Sequence, residues 1–116
     1  MEKIYIDTAK ILKAISDPKR LKIVDMLSCS EQCAGKLQQA FCVTQPTLSH
    51  DMKALVESGL ILDRRNGKNI YYSLNPEALQ QLYAIMGEIF RNKPHCVCED
   101  TPVPVKEEMR EAESSL

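Results

Sequence analysis

Residues 42–74, CVTQPTLSHDMKALVESGLILDRRNGKNIYYSL, narrow the possible folds more than any other part of the chain. The first half carries helix signals at both ends. Thr44 can cap a helix, Pro46 is tolerated in its first turn, and Gly59 can close it. Leu48, Met52, Leu55 and Val56 recur at the spacing of one helix face, which leaves Gln45, Thr47, Ser49, His50 and Lys53 on the other. The second half is two β-rich runs around Asn66-Gly67, a pair that accepts the backbone of a tight hairpin turn. Arg64, Arg65, Lys68 and Asn69 cluster at the hairpin tip.

Upstream, Ile4, Ala9, Ile11, Leu12 and Ile15 recur at roughly helical spacing. Asp17 can cap the next helix, with Pro18 at its first position, where a missing N–H costs nothing. Leu21, Val24 and Leu27 form its apolar stripe. Ser28 and Glu31 have capping-box spacing, so a third helix is expected to start at residues 29–31 and to run through Ala34 and Leu37 to Ala40 or Phe41. Pro76 opens a last helix, expected over 76–92, with Leu79, Leu82, Tyr83, Ile85, Met86, Ile89 and Phe90 spread over more than one face. That is more apolar surface than one small domain can cover, which suggests a homodimer.

A short helix, a tight turn, a second helix with a polar outer face and a basic hairpin make a helix-turn-helix with a wing. The expected fold class is mostly α, an α+β winged helix-turn-helix of about five helices with a two-stranded β-hairpin wing. Residues 1–92 form the expected DNA-binding and dimerisation domain, and 93–116 an acidic, cysteine-containing, partly flexible C-terminal tail. Hydroxyl and amide groups at the start of a helix can reach base edges in the major groove, and its N–H groups can meet phosphate. Thr44, Gln45, Thr47, Ser49 and His50 are the candidates on the helix, and Lys53 a candidate phosphate contact. Arg64, Arg65, Lys68 and Asn69 are candidates for backbone or minor-groove contacts. A solvated helix face beside an ordinary charged hairpin is the plainer reading of either element alone.

A formal net charge of −1 looks unsuited to DNA until it is divided along the chain. Residues 99–116 hold six acids against Lys106 and Arg110, a balance of −4, whereas residues 1–98 hold 13 bases and 10 acids, a balance of +3. The acidic tail hides a mildly basic body. No apolar run is long enough to span a membrane, and the opening MEKIYIDTAK has no apolar export region, so a cytoplasmic location is expected. Nothing resembles a Ser/His/Asp set, paired carboxylates or a Gly-rich phosphate loop, so no enzyme and no small-molecule substrate is expected.

AISDPKRLKIVDML, TQPTLSHDMKALVESGLI and RRNGKNIYYSLNPEAL, in that order and spacing, resemble successive signatures of the arsenic-repressor (ArsR/SmtB) family of bacterial metal-responsive transcription factors. The resemblance covers about residues 10–90. It implies a homodimeric winged-helix repressor, dimerising through its first and last helices, whose effector weakens its hold on double-stranded operator DNA.

The five cysteines are where an effector would act. In a reducing compartment an odd count fits a metal or redox thiol site better than a disulfide framework. Cys29 and Cys33, four apart, are expected on one face of the third helix near its N-terminus, where thiolate is favoured over thiol. Small buried residues at a helix junction are the alternative reading of that pair. Cys96 and Cys98 form a second pair, flanked by His95, Glu99 and Asp100, with incidental exposed thiols as the alternative. Cys42, within the apolar FCV, is expected to be core filler and only a fallback ligand.

Thiolates select thiophilic ions such as Zn(II), Cd(II) or Cu(I), and the resemblance adds As(III) and Sb(III), with Pb(II) also a candidate. No organic cofactor is expected. Arsenic repressors of the family often carry Cys-x-Cys-x-x-Cys; here Cys33 holds the first position, but Gly35 and Gln38 occupy the others. Other members bind zinc through Asp and His on the last helix, and residues 76–92 contain neither. By resemblance to members with trigonal sites, the expectation is Cys29 or Cys33 with Cys96 and Cys98. A thiol redox or reactive-sulfur sensor on the same scaffold is the first alternative. A dimeric thiol-zinc interaction module without operator binding is the second.

Overall fold

The computed structural model describes residues 2–91. The tail, with Cys96 and Cys98, lies outside the described residues. Along the chain run α1 (Lys3–Ala14), α2 (Pro18–Cys29), β1 (Gln32–Cys33), α3 (Ala34–Phe41), α4 (Gln45–Glu57), β2 (Ile61–Asn66), β3 (Asn69–Leu74) and α5 (Pro76–Phe90). No helix among the described residues is long and apolar enough to cross a membrane.

The helix starts follow from local chemistry. The Asp17 carboxylate accepts from the Arg20 N–H at 3.1 Å, with Pro18 opening α2. The Thr44 hydroxyl oxygen accepts from the Thr47 N–H at 3.4 Å, with Pro46 in the first turn of α4. Asn75, which carried no expectation, caps α5 by accepting from the Glu77 N–H at 3.2 Å. Its side-chain amide also donates to the Gly59 carbonyl at 3.0 Å, tying the start of α5 to the end of α4. Gly59, at φ +90°, provides the left-handed turn by which the chain leaves α4.

Ile23, Leu37, Met52, Leu55, Leu60 and Ile61 are fully buried, so α2, α3, α4 and the start of β2 share one core. The stripe on α2 differs from expectation. Ile23 and Leu27 are buried and Val24 packs against the core, whereas Leu21 is 51% exposed. Residues four apart, 23 and 27, face inward, and 21 falls on the opposite side of the helix.

The third helix also differs. It starts at Ala34, not at 29–31, and the Ser28–Glu31 capping box does not form. Ser28 donates its hydroxyl back to the Asp25 carbonyl at 2.5 Å, inside α2, which continues to Cys29. Ser30 is extended, and Gln32 and Cys33 pair antiparallel with Tyr72 and Tyr71. The wing is therefore a three-stranded antiparallel sheet in the order β1-β3-β2. Its backbone N–H and C=O groups find strand partners instead of a helical turn.

Asn66 pairs with Asn69 across the hairpin, so the two loop residues are Gly67 and Lys68, one position beyond the expected pair. Gly67 has φ +64°, the feature that makes glycine suitable at the first central position. At the other end of the chain no residue of α5 is buried, with Tyr83 68% and Phe90 78% exposed. Ile4, Tyr5, Ile6 and Leu12 are exposed on α1.

Candidate nucleic-acid interface

Helix α4 turns Leu48, Met52 and Leu55 into the core, and this leaves Thr44, Gln45, Thr47, Ser49, His50 and Lys53 exposed. Arg64, Arg65, Lys68 and Asn69 are exposed on the hairpin. The two sets meet. A cleft of about 190 Å³ is lined by Gln45 and Ser49 of α4, by Lys68 and Asn69 of the hairpin tip, and by Gln38 of α3. Hydroxyl and amide donors from one helix therefore share a concave surface with a lysine of the wing. Thr44 is oriented by Thr47 as well as capping it, their hydroxyls lying 3.0 Å apart.

Arg64 is placed differently from its neighbours. Its guanidinium forks onto Glu31, with Nη2 2.7 Å from Oε1 and Nε 3.3 Å from Oε2, and lies over the Tyr71 ring at 4.7 Å from the centroid. The hydrogen bond from Arg64 is the main reason the Glu31 carboxyl sits below its ordinary value. Arg65 and Lys68 are in none of the ion pairs among the described residues.

Asp51 carries no signal of its own in the sequence, although it falls three residues after Leu48 and four before Leu55, on the inward stripe. It is 6% exposed on α4, and it is held by two cations at the start of α2. Arg20 Nε donates to Oδ1 at 3.1 Å, and Lys19 Nζ lies 2.7 Å from Oδ2. Burial alone pushes the Asp51 carboxyl up, but the hydrogen bonds from Lys19 and Arg20 outweigh it, and the group sits below its ordinary value. Arg20 Nη1 also donates to the Ala14 carbonyl at 3.4 Å, so one side chain joins the end of α1, the start of α2 and the middle of α4.

The thiols are not arranged as expected. Cys29 is exposed at the C-terminal end of α2, and Cys33 is half-buried in β1, at the N-cap of α3. They do not share a helix face, and only Cys33 adjoins a helix N-terminus. Cys42 is not core filler. It is exposed, in the left-handed conformation at φ +52°, and closes α3, while its neighbours Phe41 and Val43 pack against the core. Among the described residues no three His, Cys, Asp or Glu side chains gather as a metal site. Cys29 and Cys33 supply at most two thiolates, and the other expected ligands, Cys96 and Cys98, lie outside the described residues.

Residues 17–62, which span α2 to the start of β2, match the family described as bacterial regulatory protein, arsR family. An arsenical resistance operon repressor of Staphylococcus xylosus is 43% identical over 96 residues, which cover 83% of this chain and 92% of the relative. The chain belongs to the arsR family. The crystal structure of the transcriptional repressor BigR from Xylella fastidiosa is 39% identical, with a TM-score of 0.59, over 80% of this chain and 95% of that one. The solution structure of a homodimeric winged helix-turn-helix DNA-binding domain from Mycobacterium bovis, a possible ArsR-family regulator, is 26% identical. Its TM-score is 0.62, over 79% of this chain and 89% of that one. This arsR-family member is accordingly a winged helix-turn-helix, DNA-binding transcriptional repressor and not an enzyme.

Proposed function

We propose that this arsR-family protein is a homodimeric repressor that holds an operator through α4 and the wing and releases it when a thiophilic metal(loid), As(III) or Sb(III) first, binds cysteine thiolates. The observation that carries the operator half is the shared cleft of Gln45, Ser49, Lys68 and Asn69, flanked by the exposed His50 and Lys53. The likeness to a repressor of an arsenical resistance operon supports the choice of effector. Exposed apolar residues on α1 and α5 support a dimer, because a helix of 15 residues with none buried leaves a hydrophobic layer open.

Two recognition helices must be spaced to match half-sites about 34 Å apart. An effector lowers operator affinity only by its preference for a dimer geometry that misses this spacing, about 1 to 3 kcal/mol of coupling in typical cases. Cys29 and Cys33 bracket the joint between α2 and the wing sheet, so a ligand drawing them toward Cys96 and Cys98 acts where the DNA-binding elements meet. Soft thiolates supply the affinity for a thiophilic ion.

Operator release measured against As(III), Sb(III), Cd(II), Pb(II) and Zn(II), with single Cys→Ser variants, tests this. The expected result is release by As(III) or Sb(III) that is lost in the Cys96 and Cys98 variants and in Cys29→Ser or Cys33→Ser. Unchanged induction after replacement of both tail cysteines sinks the proposed ligand set. The exposure of Cys29 and Cys42 favours one second reading, a redox or reactive-sulfur sensor, for which persulfide and not As(III) releases the operator.

A further inference from the structure

In the wing sheet Cys33 stands opposite Tyr71, and Tyr71 stands opposite Arg64, so one row crosses all three strands. Directly opposed residues of antiparallel strands point to the same face. That face is the outer one, since the next residue, Tyr72, is buried toward the core. Glu31, two residues before Cys33, reaches the same face and takes both donors of the Arg64 fork while the guanidinium lies on Tyr71. An exposed ion pair of flexible side chains is ordinarily worth little. Here two parallel hydrogen bonds and an aromatic stack fix the guanidinium from two sides, the geometry in which arginine is hardest to replace. The hairpin carries Arg64, Arg65 and Lys68, and among the described residues Arg64 is the one of the three whose charge is met by a carboxylate.

We infer that Glu31 is a positioning residue that withholds Arg64 from the operator backbone, so that the segment between Cys29 and Cys33 sets how much of the wing's charge the DNA receives. The inference rests on the operator-binding reading above. Its physical content is an exchange. Arg64 can fork onto the Glu31 carboxylate or onto a phosphate, with the same donors, but not both. As long as Gln32 and Cys33 stay paired with β3, the carboxylate of the preceding Glu31 is the partner already in place.

The test is the salt dependence of binding to a duplex from upstream of the protein's own gene, read by anisotropy between about 50 and about 200 mM salt. The proteins are the full chain, E31Q, R64Q and the double variant E31Q/R64Q. Each Arg64 that moves onto a phosphate steepens the slope of log K against log salt by about 0.9. The expected result is a steeper slope for E31Q, a wild-type slope for R64Q, and a return to the wild-type slope in the double variant. A flatter slope for R64Q alone overturns the inference, because Arg64 would then already be on a phosphate. An unchanged E31Q slope overturns it too. A double variant as steep as E31Q overturns it as well, since the effect would then be the loss of an acidic charge and not the release of Arg64. Wild-type protein that shows no salt-dependent binding overturns the operator reading and this inference together.

Discussion

Arg20 of α2 and Asp51 of α4 meet, Nε to Oδ1 at 3.1 Å, at a point where Asp51 is only 6% exposed. Helix α4 is thus held to α2 by a charge pair as well as by packing. Breaking one side of such a pair leaves two cations facing a neutral group. Asp51→Asn is expected to destabilise the fold by about 1.5–3 kcal/mol, the range for a hydrogen bond to a charged group. Urea unfolding of the variant measures it, and a change near zero would mean that Lys19 and Arg20 find solvent at no cost.

The same carboxylate gives a pH dependence with a defined sign. Its folded value lies below the ordinary 3.8 because the hydrogen bonds from Lys19 and Arg20 outweigh burial. A depressed carboxyl contributes stability that is fully present above the unfolded value and disappears as the pH falls through the folded one. Wild type should therefore lose stability on acidification below the ordinary value, and Asp51→Asn should lose less over that interval. Thermal midpoints of both proteins at stepped acid pH check the difference.

What could be read from the sequence depended on how local the controlling chemistry is. Asp17-Pro18, Thr44 with Pro46, and Gly59 each act within one turn, and each forms where the sequence alone put it. Ser28 and Glu31 carry a signal just as local, yet their partners are elsewhere. Ser28 turns back on Asp25, and Glu31 reaches Arg64, 33 residues away. The strand that displaces the expected third helix start exists because Tyr71 and Tyr72 offer it a ladder, a long-range fact that no spacing rule encodes. For the same reason the exposed polar face of α4 was legible, since it is what one helical stripe leaves over, whereas the arrangement of Cys29 and Cys33 was not.

Cys42 carries a backbone conformation that suits glycine or asparagine better than cysteine, φ +52° at the end of α3. A side chain bearing a Cβ costs roughly 1–2 kcal/mol in that region. Cys42→Gly is expected to be neutral to stabilising by up to about 1 kcal/mol, because the relief at the helix end exceeds the entropy glycine adds to the unfolded chain. Cys42→Val, with its branched Cβ, is expected to destabilise. A chemical denaturation series across the two variants separates a backbone role for this position from a thiol role.

Lys68 and Gln45 line the same cleft but should fail in different ways when removed. A lysine that neutralises a phosphate contributes to every sequence alike, so Lys68→Ala should weaken operator and random DNA together and flatten the salt slope by about 0.9 for each phosphate left without its cation. Gln45, exposed in the first turn of α4, has one amide donor and one acceptor side with which to read a base edge. Gln45→Ala should leave the salt slope unchanged and reduce discrimination at one operator position by about 1–3 kcal/mol. Binding isotherms against the operator, single-base variants and random duplex separate the two behaviours. If Gln45→Ala weakened all three duplexes equally, its amide would be meeting the backbone, and base reading would fall to Thr47, Ser49 and His50.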